Sequence, residues 1–246
     1  FGSSVPAQRA RAALHAKFRR GGMIAPPVPS ECPPCGAADS KRRRVEVTHD
    51  PVARVERILQ VIERDIVPKT AAAVASGNKV FGAAILRKDD LSLVCADTNR
   101  EMEWPLLHGE VSTLRTFNAI EKSKRPLAGD CIFVSTHEPC SLCLSAITWS
   151  GFDNFYYFFS YEDTKVAFSI PHDLRILSEV FQCEDGAYSR SNHFFQCHDV
   201  VKLIASLSDE AQRTTLEEKV GNLRTKYAEL SSVYQASKED SAIPLK

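Results

Sequence analysis

Two short stretches of this chain decide its fold and its chemistry: Leu107-His108-Gly109-Glu110-Val111-Ser112-Thr113-Leu114 and Pro139-Cys140-Ser141-Leu142-Cys143. Cys140 and Cys143 are three positions apart, which on a helix places both sulfurs on one side. Zinc binds thiolate and imidazole ligands in a tetrahedron, and a catalytic site leaves the fourth position for water. The pattern therefore predicts a catalytic Zn²⁺ site with His108, Cys140 and Cys143 as its ligands.

Glu110 is the candidate catalytic residue. It lies two positions beyond His108, so its carboxylate can approach the same site without binding the metal. Zinc makes water acidic enough to supply hydroxide near neutral pH, and Glu110 can take that proton and deliver it to a departing amine. The order H-x-E then P-C-x-x-C is the signature of zinc nucleobase deaminases. A purely structural zinc site is the alternative for the same ligands.

The segments around these motifs alternate between strand and helix patterns. Asp50-Pro51 predicts the start of a helix, which Pro68 is expected to kink or restart. The other expected elements are strands at 80–86, 91–95, 131–135 and 155–159 and helices at 108–122, 140–150 and 171–181. This alternation predicts an α/β protein with helices packed on a central sheet.

Over about 52–182 the chain resembles the cytidine deaminase-like superfamily. Residues 107–114 are similar to fungal cytosine deaminases, whereas 80–86 and 137–140 are similar to bacterial guanine deaminases and tRNA adenosine deaminases. The resemblance implies a three-layer α/β/α fold with a central mixed sheet and a long C-terminal helix.

The resemblance also implies substrate contacts. Asn99 falls on the asparagine that hydrogen-bonds the base, and Phe81 falls on an apolar residue that lines the base pocket. We therefore expect a zinc-dependent aminohydrolase acting on C–N bonds of cyclic amidines, with a cytosine- or guanine-type base or nucleoside as substrate. The mixture of motifs leaves the choice of base open. The distinctive segment 168–173 receives no role.

Three regions are expected along the chain. Residues 1–49 resemble a basic, disordered tail, 50–205 form the deaminase domain, and 206–246 form a C-terminal helix and a short tail. Apolar residues recur in that helix at heptad spacing: Leu216, Val220, Leu223, Tyr227, Leu230 and Tyr234. This stripe predicts either a helix packed along its own domain or a coiled-coil contact in a homodimer or higher oligomer.

Charge is distributed unevenly. Residues 1–45 carry nine Lys and Arg against two acidic residues, a balance of +7, so the rest of the chain carries −7. The basic segment could grip RNA through its phosphates, which leaves a tRNA or other nucleic-acid deaminase as an alternative function. The acidic remainder favours a small-molecule substrate. A catalytically silent interaction protein that keeps the zinc fold is a third hypothesis.

Cysteine usage and the N-terminus bear on location. Eight cysteines without a visible signal peptide predict reduced thiols, with Cys95, Cys131, Cys183 and Cys197 buried. No apolar run approaches the roughly 20 residues that cross a bilayer. We expect an intracellular protein, with the cytoplasm favoured. The Arg-rich N-terminus also resembles an organelle transit peptide, and 41–44 resembles a nuclear signal.

Overall fold

The first helix of the domain begins at a capped N-terminus. The computed structural model describes residues 47 and 49–245, apart from the side chain of Asp240. The Asp50 carboxylate accepts a hydrogen bond of 3.1 Å from the Ala53 N–H, and Pro51 occupies the first helical turn. Nearly all of the predicted tail at 1–49, with both targeting signals, lies outside the described residues.

Helices and strands alternate along the described chain much as predicted. The helices are α1 (Pro51–Val61), α2 (Val67–Ala75), α3 (Gly109–Ala119), α4 (Ser141–Trp149), α5 (Tyr161–Ala167), α6 (His172–Phe181), α7 (Val200–Ala205) and α8 (Glu210–Ser237). The strands are β1 (Gly82–Arg87), β2 (Leu93–Thr98), β3 (Cys131–His137), β4 (Asn154–Phe159) and β5 (Gln196–Asp199). Sequence patterning missed α5, β5 and α7, because each is short and β5 lacks apolar alternation.

The five strands form one mixed sheet in the order β2-β1-β3-β4-β5. β1 is antiparallel to both β2 and β3, whereas β3, β4 and β5 run parallel. Ser135 of β3 pairs with Ala83 of β1 and with Tyr157 of β4. The two motif helices therefore begin beyond one end of the sheet, where α4 follows directly from β3.

Helices cover both faces of the sheet, so the domain has three layers. On one face Ala84, Val134 and Tyr156 join a core with residues of α1, α7 and α8. On the other face Ala83, Phe133 and Phe155 join a core with residues of α3 and α4. Neighbouring residues of a strand point to opposite faces, so one apolar strand supplies both cores.

The helix before β1 changes type in its middle. A π-helical segment, Ile62–Ile66, joins α1 to α2. Pro68 has no N–H and cannot make the helical bond to the preceding turn, and the wider π turn accommodates that loss. The expected kink or restart at Pro68 is therefore a change of helix type within a helical run from 51 to 75.

The heptad stripe of α8 faces its own domain. Five of its six apolar residues are buried in the core beneath α1 and α2, and Leu230 packs against it. Lys219 and Lys226 of α8 also pair with Glu56 and Glu63 at 2.5 Å. The stripe is therefore already covered, and it does not offer an apolar seam to a second helix.

Four of the cysteines that the structure describes lie away from the motifs, and all four are free thiols. Cys95 and Cys131 are buried as expected, but Cys183 and Cys197 are partly exposed. The predicted burial of Cys183 and Cys197 is therefore wrong. Cys183 lies in an irregular segment after α6 and Cys197 lies in the edge strand β5, where solvent reaches both. No helix in the part of the chain that the structure describes is both long and apolar enough to span a membrane.

Candidate metal centre and its cavity

The three predicted ligands come from the starts of two helices. His108 is the N-cap of α3 and Cys140 is the N-cap of α4, both with extended backbones, and Cys143 lies in the first turn of α4. Each cap carbonyl accepts the first helical hydrogen bond, from Ser112 and Leu144, at 2.8 Å. The positive ends of two helix dipoles therefore converge on the site, which stabilises thiolates there.

The ligand atoms lie close together. His108 Nδ1 is 3.5 Å from Cys140 Sγ and 3.7 Å from Cys143 Sγ, and all three atoms lie within 4.8 Å of one another. One imidazole and two thiols form a donor set that suits tetrahedral zinc with one position left open. The residues present therefore fit the metal.

Hydrogen bonding lowers the pKa of one ligand thiol. Contacts from Cys143, and then from His108, hold the pKa of Cys140 well below its ordinary value even though burial opposes this. Burial also disfavours protonation of His108, but hydrogen bonding and charge at Cys140 outweigh it and raise its pKa to about 9. A thiolate is the form of cysteine that binds metal.

Glu110 lies beside the ligand set in the first turn of α3. Its Oε2 is 3.3 Å from Cys143 Sγ, and its Oε1 accepts a 2.9 Å hydrogen bond from the buried Ser135 hydroxyl. The side chain is nearly fully buried, and burial, followed by the charge of Cys140, raises the pKa of its carboxyl group. A raised pKa makes a carboxyl group a better proton acceptor, and general acid–base catalysis needs a group that accepts and then donates a proton.

Gly109 allows α3 to approach the sheet closely enough for this arrangement. A Cβ at position 109 would lie 2.7 Å from the Cα and 2.8 Å from the N of Gly82 in β1. Both are backbone atoms that cannot move aside. The glycine between His108 and Glu110 therefore permits direct packing of α3 against β1 and places both neighbours near the start of that strand.

A cavity of about 390 Å³ opens over the ligands. His108, Glu110, Cys140 and Phe81 form part of its lining. Contact between Phe81 and a base stays a prediction. Residues 243–245, which follow α8, form a further wall together with Ile170 and Ile176. The C-terminal segment therefore narrows access to the metal centre.

Asn99, in contrast, does not line this cavity. It is fully buried, and its Nδ2 donates a 2.5 Å hydrogen bond to Glu101 Oε2. Its Oδ1 has no hydrogen-bond partner among the described residues. Contact between Asn99 and a base stays a prediction, and the structure places Glu101 between Asn99 and the cavity.

Four charged residues of the cavity lining received no role from the sequence patterns: Lys79, Glu101, Glu138 and Asp173. Asp173 belongs to the segment 168–173 that received no role. Burial, then the charge of Cys140, raises its pKa to about 7. No single short motif contains them, because they reach the cavity from separate parts of the chain: the loop before β1, the loop after β2, the position just after β3 and the first turn of α6.

The family comparison agrees with this geometry. Residues 62–159 match the family model described as the cytidine and deoxycytidylate deaminase zinc-binding region. Residues 62–159 of this chain therefore resemble the zinc-binding region of that family. The matched residues include both motifs and the strands β1 to β4. Because the family model describes a zinc-binding region, the metal of this site is zinc. No curated protein matches the sequence significantly.

Several solved structures are similar to part of this chain. Guanine deaminase from Nitrosomonas europaea is 21% identical, with 78% of this chain and 87% of that chain covered and a TM-score of 0.41. A tRNA:A34 deaminase that edits the wobble position is 18% identical, with 55% and 92% covered and a TM-score of 0.38. Guanine deaminase from Bacillus subtilis is 27% identical, with 46% and 68% covered and a TM-score of 0.36.

Proposed function

We propose that this chain is a zinc-dependent hydrolytic deaminase of a small cytosine- or guanine-type base or nucleoside. The observation that carries the proposal is the carboxyl group of Glu110 beside the ligands His108, Cys140 and Cys143, at the inner end of a cavity of about 390 Å³. That volume lies at the small end of ligand pockets, which run from roughly 300 to 1,000 Å³.

Glu110 carries the proton transfers in this proposal. Zinc held by the three ligands supplies Lewis acidity and makes a water-derived nucleophile available near neutral pH. Glu110 accepts a proton from the attacking water and delivers it to the neighbouring ring nitrogen as the carbon–oxygen bond forms. It then transfers the remaining hydroxyl proton to the exocyclic nitrogen. The carbon–nitrogen bond breaks, a carbonyl forms, and ammonia leaves. Ser135 holds Oε1 of Glu110, which leaves Oε2 directed toward the metal ligands.

The charge of the cavity supports a substrate without phosphate. Four carboxyl groups line the described cavity, at Glu101, Glu110, Glu138 and Asp173, and Lys79 is the one lysine among its lining residues. Carboxylates in a cavity repel phosphate but accept hydrogen bonds from ring N–H and amino groups. The aromatic ring of Phe81 offers an apolar surface for a flat base. A free base or nucleoside therefore fits better than a nucleotide.

An ammonia-release screen with the zinc-loaded protein tests the proposal. The panel pairs each amino-substituted base with its nucleoside and 5′-monophosphate. We expect turnover of at least one base or nucleoside, with the monophosphate the poorest substrate of its set. Glu110→Gln should lower turnover by about 10²–10⁴-fold and leave zinc content unchanged, because Glu110 is not a proposed ligand.

Glu63→Gln is the matched control for that substitution. Glu63 is partly exposed on the helix before β1, where it pairs with Lys226, so its loss should leave turnover unchanged. A protein that binds one zinc but turns over nothing in the panel would contradict the proposed enzyme and favour a zinc-fold interaction protein.

The nucleic-acid alternative rests on the basic segment 1–45, which the structure does not describe. Deleting that segment separates the two functions. A small-molecule deaminase should keep its turnover, whereas an RNA deaminase should lose affinity for RNA and the salt dependence that phosphate contacts produce. Activity on tRNA together with none on bases and nucleosides would overturn our proposal.

A further inference from the structure

A buried ion pair lies beside the metal ligands. Lys79 Nζ is 3.0 Å from Glu101 Oε1, and the two side chains are only 6% and 2% exposed. Taking both charges out of water is costly, and apolar residues of similar size often stabilise a fold as well or better. Fold stability alone therefore gives little reason for this pair at the cavity wall.

Glu101 is held on both of its oxygens. Oε1 accepts from Lys79, and Oε2 accepts a 2.5 Å hydrogen bond from Asn99 Nδ2. Asn99 is itself anchored, because its N–H donates to the Phe81 carbonyl at 2.9 Å. Two donors from the same end of the antiparallel β1–β2 pair, one just before β1 and one just after β2, thus fix the orientation of this carboxylate.

The fixed carboxylate faces the ligand histidine. His108 Nε2 is 3.6 Å from Glu101 Oε1, while Nδ1 on the other edge of the ring faces both sulfurs. A neutral imidazole carries its proton on one nitrogen and offers a lone pair on the other. An acceptor near Nε2 favours the tautomer whose lone pair is on Nδ1.

We propose that Glu101 is a positioning residue that orients His108 for metal binding, and that Lys79 and Asn99 hold Glu101 in place. Such outer carboxylates fix the tautomer and ring orientation of a ligand histidine, and their loss typically costs 10–100-fold in metal affinity. This inference rests on the proposed zinc site. It assigns the role to a residue outside both motifs.

Zinc affinity measured by chelator competition tests the inference on the full chain. Glu101→Gln keeps the size of the side chain but removes the charge, and it should weaken zinc binding by about 10–100-fold. Glu101→Asp keeps the charge and should recover part of that loss. Because Glu101→Gln leaves Lys79 buried without its partner, the double variant Lys79→Met/Glu101→Gln removes both charges and guards against a folding failure.

The chain offers a matched control pair at the other end of β1. Lys88 Nζ lies 2.8 Å from Asp153 Oδ1, and this pair is also buried. Lys88→Met/Asp153→Asn should leave zinc affinity unchanged. Cobalt supplies a second readout: the visible spectrum of the Co²⁺-loaded protein should change in the Glu101 variants and stay constant in the control.

Each outcome bears on one proposal. A folded Lys79→Met/Glu101→Gln variant with unchanged zinc affinity and an unchanged cobalt spectrum overturns the positioning role and leaves the proposed function standing. Equal losses in the control variant also overturn it, because the effect would then follow from general destabilisation. A wild-type protein that binds no zinc contradicts the proposed function itself.

Discussion

His137 should make the fold sensitive to mild acid. It ends β3 and is 3% exposed, with its ring centroid 4.6–4.8 Å from those of Phe81, Phe159 and Phe168. Its Nδ1 lies 3.0 Å from the Thr136 hydroxyl. Burial among these rings lowers the pKa of His137 from 6.5 to about 3. The imidazole is therefore neutral in the folded protein throughout the usual pH range.

The size of the effect follows from that pKa difference. Above pH 6.5 neither state binds the proton, so His137 contributes no pH dependence. Between pH 6.5 and about 3 the unfolded chain binds a proton that the folded chain does not, so stability falls by about 1.4 kcal/mol per pH unit. The loss relative to neutral pH is about 1.4 kcal/mol at pH 5.5 and about 2.7 kcal/mol at pH 4.5.

Urea unfolding of the wild type and of His137→Leu at pH 7.5, 5.5 and 4.5 measures this loss. Leucine cannot be protonated. On acidification from neutral pH, the free energy of unfolding of His137→Leu should therefore fall less than that of the wild type, by about 1.4 kcal/mol at pH 5.5 and about 2.7 kcal/mol at pH 4.5. Carboxylate titration and zinc release affect both proteins and largely cancel in the difference. Parallel stability curves for the two proteins would show that His137 is not held neutral by the fold, and the reasoning would be refuted.

Two further predictions concern packing. Gly109→Ala should destabilise the fold by about 3 kcal/mol, the upper end of the cost of overpacking, because its Cβ would meet the backbone of Gly82. Gly221→Ala, at an exposed helical site with open space, should instead stabilise by about 0.5–1 kcal/mol, and urea unfolding of both variants measures the contrast. Leu223→Ala should cost about 2–5 kcal/mol without changing the oligomeric state in gel filtration, because Leu223 is buried within its own domain. Asn222→Ala, next to it and exposed, is its control.

Different results would contradict each of these expectations. A stable Gly109→Ala protein would mean that α3 can move away from β1 without loss. A change in molecular mass on Leu223→Ala, with stability preserved, would mean that the stripe of α8 contacts another chain rather than its own core.

Local patterns determined much of the architecture. Apolar runs predicted four of the five strands, because a strand buried on both faces must be apolar at nearly every position, as Asn154–Phe159 nearly is. The start of α1 after its N-cap Asp50 and the starts of α3 and α4 were also predictable, since helix caps and first turns depend on neighbouring residues. Element ends were shifted by several residues, because packing rather than propensity decides where a strand stops.

The chemistry of the metal centre was also present in the sequence. Cys140 and Cys143 are three positions apart at the start of one helix, and Glu110 lies two positions after His108. Such short spacings fix the relative positions of the side chains once the backbone conformation is known. The family match over 62–159 supports the zinc assignment. The roles of His108, Glu110, Cys140 and Cys143 therefore needed no tertiary information to be proposed.

Tertiary structure alone decided what surrounds that centre. The cavity lining includes residues from positions far apart in sequence, namely Lys79 and Glu101 in loops, Asp173 in α6, and the segment 243–245 after α8. No local pattern relates them. It also decided which side of α8 is covered, because the same heptad spacing serves a domain core and a coiled coil equally well. Zinc ligation follows from neighbouring residues, whereas substrate choice depends on which distant loops the fold brings together.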